Sequence, residues 1–174
     1  MLDHSDLVGR MMEANSAHAE GLDRADPGPR PRLGLAIVTC MDCRLDVYDM
    51  LGLEAGDAHV IRNAGGIVTD DVIRSLCLSQ RTLGTTHVLV IHHTRCGLEG
   101  LSDNDFLASL IQETGERPEW VPGGFGEVSE DLRASVTKLT QSPFVEAGGS
   151  VSGFVYDVET GLLAPMPGTI DHVL

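Results

Sequence analysis

Two short stretches collect the residue types that could do chemistry. TCMDCRLD supplies Cys40, Asp42, Cys43 and Arg44, and HHTRCG supplies His92, His93 and Cys96. Thiols at C-x-x-C spacing can form a redox couple, can be half of a zinc site, or can leave only one sulfur in use. Cys40, His93 and Cys96 offer two thiolates and an imidazole, three ligands of the kind zinc takes, with a fourth position left for water as in catalytic sites. Adding Cys43 completes a closed Cys3His set of the structural kind, and spacing alone leaves both readings open. Asp42 and Arg44 weigh toward catalysis. A guanidinium two residues after the acid can hold the carboxylate off a metal and aim it at a metal-bound water. The ordinary alternative is a surface ion pair at the start of a helix. Adjacent strand residues point to opposite faces, so one of His92 and His93 reaches the site. The H-x-x-C spacing favours His93 and leaves His92 as a packed or supporting imidazole. A Cys2His set also suits iron or cobalt, so the metal depends on availability and geometry as well as affinity.

These residues need elements that carry them to one place. LGLAIVTC is a nearly unbroken apolar run that ends on Cys40, and THVLVIHH is another that ends on His93; both read as strands buried on two faces. AHVIRN is a second short strand. VTDDVIRSLCLSQRTLG shows apolar residues at helical spacing with a glycine at its end, so strand, helix and strand imply a parallel crossover. DNDFLASLIQETG and EVSEDLRASVTKLTQ are helices, and RPEWVPGGFG between them is a loop in which PGGFG is a run of turns and Trp120 a packing residue. SVSGFVYDVETGLLAP turns at ETG and forms a late strand with an edge hairpin. The fold class is α/β, with a central mostly parallel sheet flanked by helices, and such sheets place ligands at the carboxyl ends of their strands. RNAGGIV follows the second strand and opens a helix, yet it lacks G-x-G-x-x-G and a Walker lysine, which argues against a phosphate cradle.

The chain of 174 residues suits one domain over residues 1–174. A 42% hydrophobic and 22% charged composition with mean hydropathy +0.02 is that of a globular protein. Twelve Lys and Arg against 26 Asp and Glu give a net charge of -14, which opposes attraction to nucleic acid or to an anionic membrane. Residues 1–23 lack a continuous apolar stretch and read as an amphipathic helix, followed by the proline-rich connector ADPGPRPRL. With no export signal, the four cysteines suggest reduced thiols and a cytoplasmic protein.

Taken in order, C-M-D-C-R, V-I-R-N-A-G-G and H-H-T-R-C-G resemble the β-class carbonic anhydrases, most closely their short bacterial and archaeal members. The resemblance spans residues 38–97, GDAHVIRNAGGIVTDDVIRSL is similar almost without interruption, and GFVYDVETGLL fits the closing strands. It implies one zinc per subunit held by Cys40, His93 and Cys96, with Asp42 and Arg44 as the catalytic dyad. Asn63, Ala64, Gly65 and Gly66 become a close-packed wall for a small linear substrate, and Cys43 a bystander. It also implies a homodimer, often paired again into a homotetramer, in which residues 1–23 are an arm reaching to the partner.

The activity so implied is carbonate dehydratase, a lyase: reversible hydration of carbon dioxide to bicarbonate and a proton by a zinc-bound hydroxide, favoured by alkaline conditions because two thiolates leave the metal little formal charge. Similar proteins hydrolyse carbonyl sulfide or carbon disulfide at the same site. A non-catalytic zinc-stabilised or bicarbonate-sensing protein, with Cys43 as fourth ligand, is the alternative of another class. Some relatives have a closed form, in which Asp42 would be the fourth ligand here. Arg95 and Leu98 depart from the residues common in close relatives and alter the pocket mouth. His4, His18, His59, His87 and His172 are each solvated or hydrogen-bonded in the ordinary reading, and none is assigned as a proton shuttle.

Overall fold

A computed structural model describes residues 3–22, 28–146 and 150–167. Met1, Leu2 and Asp23 of the arm, the first residues of the proline-rich connector and His172 lie outside them. Helix α1 (His4–Gly21) begins where Asp3 accepts a hydrogen bond from the Asp6 N–H at 2.9 Å. Strand β1 (Leu35–Cys40), a short helix α2 (Val47–Leu51) and strand β2 (Ala58–Asn63) follow. Helix α3 (Asp70–Leu83), strand β3 (His87–His93), helices α4 (Asp103–Thr114) and α5 (Val128–Gln141), and strands β4 (Ser150–Tyr156) and β5 (Leu163–Pro165) complete the order.

The five strands form one sheet in the order β2-β1-β3-β4-β5. The first three pairings are parallel and β5 is the antiparallel edge. The apolar runs of β1 and β3 are neighbouring interior strands, which explains why neither alternates. Cys40 pairs in register with Asn63, and Thr39 with Ile91, so the carboxyl ends of β1, β2 and β3 finish together.

Side-chain alternation divides the core. Ala36, Val38, Val88 and Val90 pack with Val72 and Leu76 of α3 and with Leu132, Val136 and Leu139 of α5. On the other face Ile37 and Ile91 meet Val47 of α2, with Leu35, Val60, Leu89 and Phe154 only partly covered. The helix ends follow their local chemistry: Thr69, Ser102 and Glu127 cap the starts of α3, α4 and α5, while Gly84 and Gly115 end α3 and α4 in the left-handed conformation.

Two details depart from the sequence reading. The RNAGG stretch does not run straight into a helix: a 3-10 turn (Ala64–Gly66) intervenes, and α3 starts at Asp70 under the Thr69 cap. PGGFG is more than a string of turns. Asp103 accepts hydrogen bonds from the N–H groups of Gly123 at 3.3 Å and Gly124 at 2.7 Å, and a Cβ on Gly124 would lie 2.1 Å from the Leu101 carbonyl oxygen. Trp120, read as a packing residue, is 57% exposed because this loop turns it away from the core.

Candidate metal centre

The end of β1 delivers Cys40, and the end of β3 with the turn after it delivers His93 and Cys96. Their ligand-type atoms all lie within 4.8 Å of one another, and all three residues are buried. The two sulfurs are 4.0 Å apart, close to the roughly 3.8 Å that two 2.3 Å zinc–sulfur bonds subtend in a tetrahedral site. His93 Nδ1 lies 3.0 Å from the Thr94 carbonyl oxygen, which can only accept, so Nδ1 carries the proton. That leaves the lone pair on Nε2, a buried atom without a hydrogen-bond partner. An orphaned imidazole nitrogen facing two thiols is the donor set a zinc ion would satisfy.

The electrostatics agree. Burial raises the Cys40 thiol, but the adjacent His93 ring and the N–H groups of Asp42 and Gly65 outweigh it and bring the thiol below its ordinary value. Cys96 moves the other way, pushed up by burial and by its proximity to Cys40. The opposite shifts of two thiols in contact express one fact: a second thiolate beside the first is costly without a cation between them. Burial acts to lower His93, but the Cys40 and Asp42 side chains pull it up.

Asp42 and Arg44 form the expected pair. Arg44 Nε donates to Asp42 Oδ1 at 2.9 Å and Nη2 to Oδ2 at 2.7 Å, while the Arg44 backbone N–H also reaches Oδ1 at 2.9 Å. This bidentate hold keeps the Asp42 carboxyl well below the usual carboxylate range. Asp42 Oδ2 stands 3.8 Å from His93 Nε2, at the rim of the three-ligand group and turned toward Arg44. Arg44 is fixed in turn, since its Nη2 donates to the Arg95 carbonyl oxygen at 2.9 Å. Arg95 presents that oxygen from a left-handed conformation (φ 56°), the only positive φ on a non-glycine residue among the described residues, and its side chain pairs with Glu159.

Cys43 is exposed and stands outside the cluster, as a bystander would. Asn63 ends β2, and Ala64, Gly65 and Gly66 form the turn that follows it. A Cβ on Gly66 would sit 2.7 Å from the Cys40 nitrogen, so only glycine lets this turn lie on the end of β1. Asn63 Nδ2 donates to the Ile67 carbonyl oxygen at 2.9 Å and closes the turn on itself. Leu98 covers Gly65: its Cδ2 lies 3.1 Å from where a Cβ would be. His92 points to the other face of the sheet, buried beneath Phe125 with ring centroids 6.4 Å apart. Burial lowers it to about 4.

Sequence reasoning missed two residues. Arg62 Nε donates to the Cys40 carbonyl oxygen at 2.9 Å and Nη2 to that of Asp42 at 2.6 Å, strapping down the backbone that carries ligand and dyad. An arginine near the end of β2 was the available signal. Asp131 on α5 faces His92 at 3.2 Å, and nothing local marks it.

Comparison with known proteins places this geometry. The sequence profile of the carbonic anhydrase family matches residues 35–117. The protein described as "Beta-carbonic anhydrase 1" of Mycobacterium tuberculosis is 50% identical over 149 residues, covering 86% of this chain and 91% of that one. The chain belongs to the β-carbonic anhydrase family. A crystal structure of carbonic anhydrase from Streptococcus mutans superposes with a TM-score of 0.86 at 37% identity, covering 95% of this chain and 99% of that one. The likeness extends to a carbon disulfide hydrolase of Acidithiobacillus thiooxidans, 36% identical over 151 residues, or 75% of this chain and 76% of that one. As a β-carbonic anhydrase family member, the chain carries its Cys-His-Cys cluster at the sheet edge where the strands end together.

Proposed function

We propose that this single-domain protein catalyses the reversible hydration of carbon dioxide to bicarbonate and a proton, using one zinc per subunit held by Cys40, His93 and Cys96. The observation that carries the reading is the bidentate Asp42–Arg44 pair at the rim of a three-ligand cluster. A purely structural site has no use for it. Zinc, when bound, supplies the Lewis acidity that moves the ionisation of water toward neutral pH. Asp42, kept ionised and turned aside by Arg44, accepts a hydrogen bond from the nucleophile and so orients it. Asn63, Ala64, Gly65 and Gly66 form a close wall suited to a small linear substrate. Loss of Arg44 frees Asp42 to turn into the ligand cluster, the closed arrangement.

Self-association through α1 is part of the same proposal. Helix α1 has no buried residue, yet Leu7, Val8, Met11 and Met12 form one apolar stripe, 44 to 63% exposed. Such a helix is stable when a second copy covers it, as in a dimer or a pair of dimers. Among the described residues no helix is long and apolar enough to cross a membrane. All four cysteines are unbridged, in keeping with a cytoplasmic setting.

Stopped-flow hydration of carbon dioxide by zinc-quantified protein across pH tests the proposal. A rate that scales with zinc and rises toward alkaline pH supports it; no hydration at any pH by fully loaded protein overturns it. The carbon disulfide hydrolase relative favours a second reading with the same site and a sulfur-containing electrophile. Carbon disulfide hydrolysis by the same preparation separates the two.

A further inference from the structure

Asp131 lies in the first turn of α5, on the face of the sheet opposite His93. Its Oδ2 and the Nδ1 of His92 are both enclosed in protein, neither has a hydrogen-bond partner, and they face each other at 3.2 Å. The other ring nitrogen of His92, Nε2, stands 3.2 Å from the carbonyl oxygen of Gly66. Phe125 stacks over the ring and leaves it little room to swing. Gly66 belongs to the Ala64–Gly66 turn that rests on β1: a Cβ on Gly66 would lie 2.7 Å from the Cys40 nitrogen, and the neighbouring Gly65 N–H acts to lower the Cys40 thiol. A continuous line of contacts therefore runs from α5 through Asp131, His92, Gly66 and Gly65 to Cys40.

The turn needs such a brace. Gly65 and Gly66 both have positive φ, 79° and 70°, and glycine peptides rotate more freely than any others. Asn63 ties the turn to Ile67, but the carbonyl of Gly66 is held from outside the turn by His92. We propose that Asp131 is a positioning residue. Acting through His92, it fixes the Ala64–Gly66 turn so that the Gly65 N–H meets the Cys40 sulfur, and thereby sets how much charge that sulfur donates to a bound metal. A hydrogen bond to a ligating thiolate withdraws charge from it and leaves the metal a stronger acid. The catalytic consequence rests on the hydration reading; the structural brace does not.

The test compares Asp131→Leu and Asp131→Asn with the unaltered full chain, each loaded with cobalt for spectroscopy and with zinc for kinetics. Leucine fills similar space and makes no hydrogen bond. Asparagine can turn either its oxygen or its N–H toward Nδ1, and so preserves the brace whichever atom carries the proton. For Asp131→Leu the expected results are a shifted thiolate-to-cobalt absorption band, faster hydrogen exchange at the Gly65 amide, and a kcat for hydration about 10-fold lower with KM within about twofold. Asp131→Asn should stay close to the unaltered protein in all three. A merely structural aspartate would lower the melting temperature and leave the band, the Gly65 exchange and the kcat of the folded fraction unmoved, which overturns the proposal. So does an asparagine variant as impaired as the leucine one. Should Asp131→Leu fail to fold, Asp131→Ser, too short to reach Nδ1, takes its place with the same expected outcomes. If the unaltered zinc protein does not hydrate carbon dioxide, the functional reading fails, while the cobalt band and the Gly65 exchange still decide the brace.

Discussion

On one face of the central sheet α3 and α5 exclude solvent from Ala36, Val38, Val88 and Val90, whereas on the other Leu35, Val60, Leu89 and Phe154 stay half-exposed beside the short α2. The candidate metal centre sits at the edge the two faces share. Adjacent residues of β3 illustrate the division: His92 enters the filled face and His93 the ligand cluster. A filled face can hold the site's backbone rigid, because close-packed interiors transmit displacement with little slack. A half-covered face, together with an α1 that buries nothing, is where the proposed second copy would pack. Rigidity thus comes from within the chain, and the proposed association would supply the remaining cover.

Five measurements can break this contrast or make it firmer. The largest effect belongs to the two histidines. His93→Gln should abolish zinc binding and hydration, while His92→Gln, one residue away, should retain zinc with lowered activity; metal analysis of both would refute the division if His92→Gln came out equally empty. Cys43→Ser should retain both zinc and activity. Next, Leu132→Ala, at a fully buried position against the sheet, should cost about 2–5 kcal/mol in denaturant unfolding. Leu89→Ala on the other face should cost less, and its cost should grow with protein concentration. Equal costs without concentration dependence would mean the second face is complete in one chain.

Arg44→Ala should lower kcat/KM by about 10–100-fold, the range typical of residues that orient metal-site groups, with only a small change in melting temperature because Arg44 is exposed. The smallest effect is a pH dependence of stability. Burial raises the Asp131 carboxyl above its ordinary value. Between the ordinary and the raised value the folded chain holds a proton that the unfolded chain has released, so stability falls as pH rises through that window and stays lower above it. The side-chain amide introduced by Asp131→Asn does not ionise. The stability of that variant relative to the unaltered protein should therefore increase from about pH 4 upward and then level off, as followed by denaturant titrations at a series of pH values. A difference that is flat with pH would mean Asp131 ionises freely on the filled face.

Much of this was legible beforehand because the signals were local. Unbroken apolar runs marked β1 and β3, an apolar period with a terminal glycine marked α3, and the ordered motifs named Cys40, Asp42, Arg44, His93 and Cys96. Residues whose work is long-range were not legible. Arg62 acts on β1 backbone that parallel pairing brings beside it, and Asp131 acts on a histidine 39 positions earlier through a contact only packing creates. The Gly123–Gly124 pair read as an ordinary turn, since nothing in PGGFG reveals that Asp103 will gather both N–H groups and set Phe125 against His92.

The sequence by itself determined the α/β class, the donor set of two thiols and an imidazole, and the acid–guanidinium pair, because strand hydrophobicity and ligand chemistry are properties of residues and short spacings. Only the tertiary structure decided that Cys43 stands outside the cluster, that Asp42 is turned toward Arg44, and that a glycine turn held from α5 presses on Cys40. These depend on where parallel strands end relative to one another and on which face each side chain enters, and distances of a few ångströms across a sheet are set by packing rather than by any local pattern.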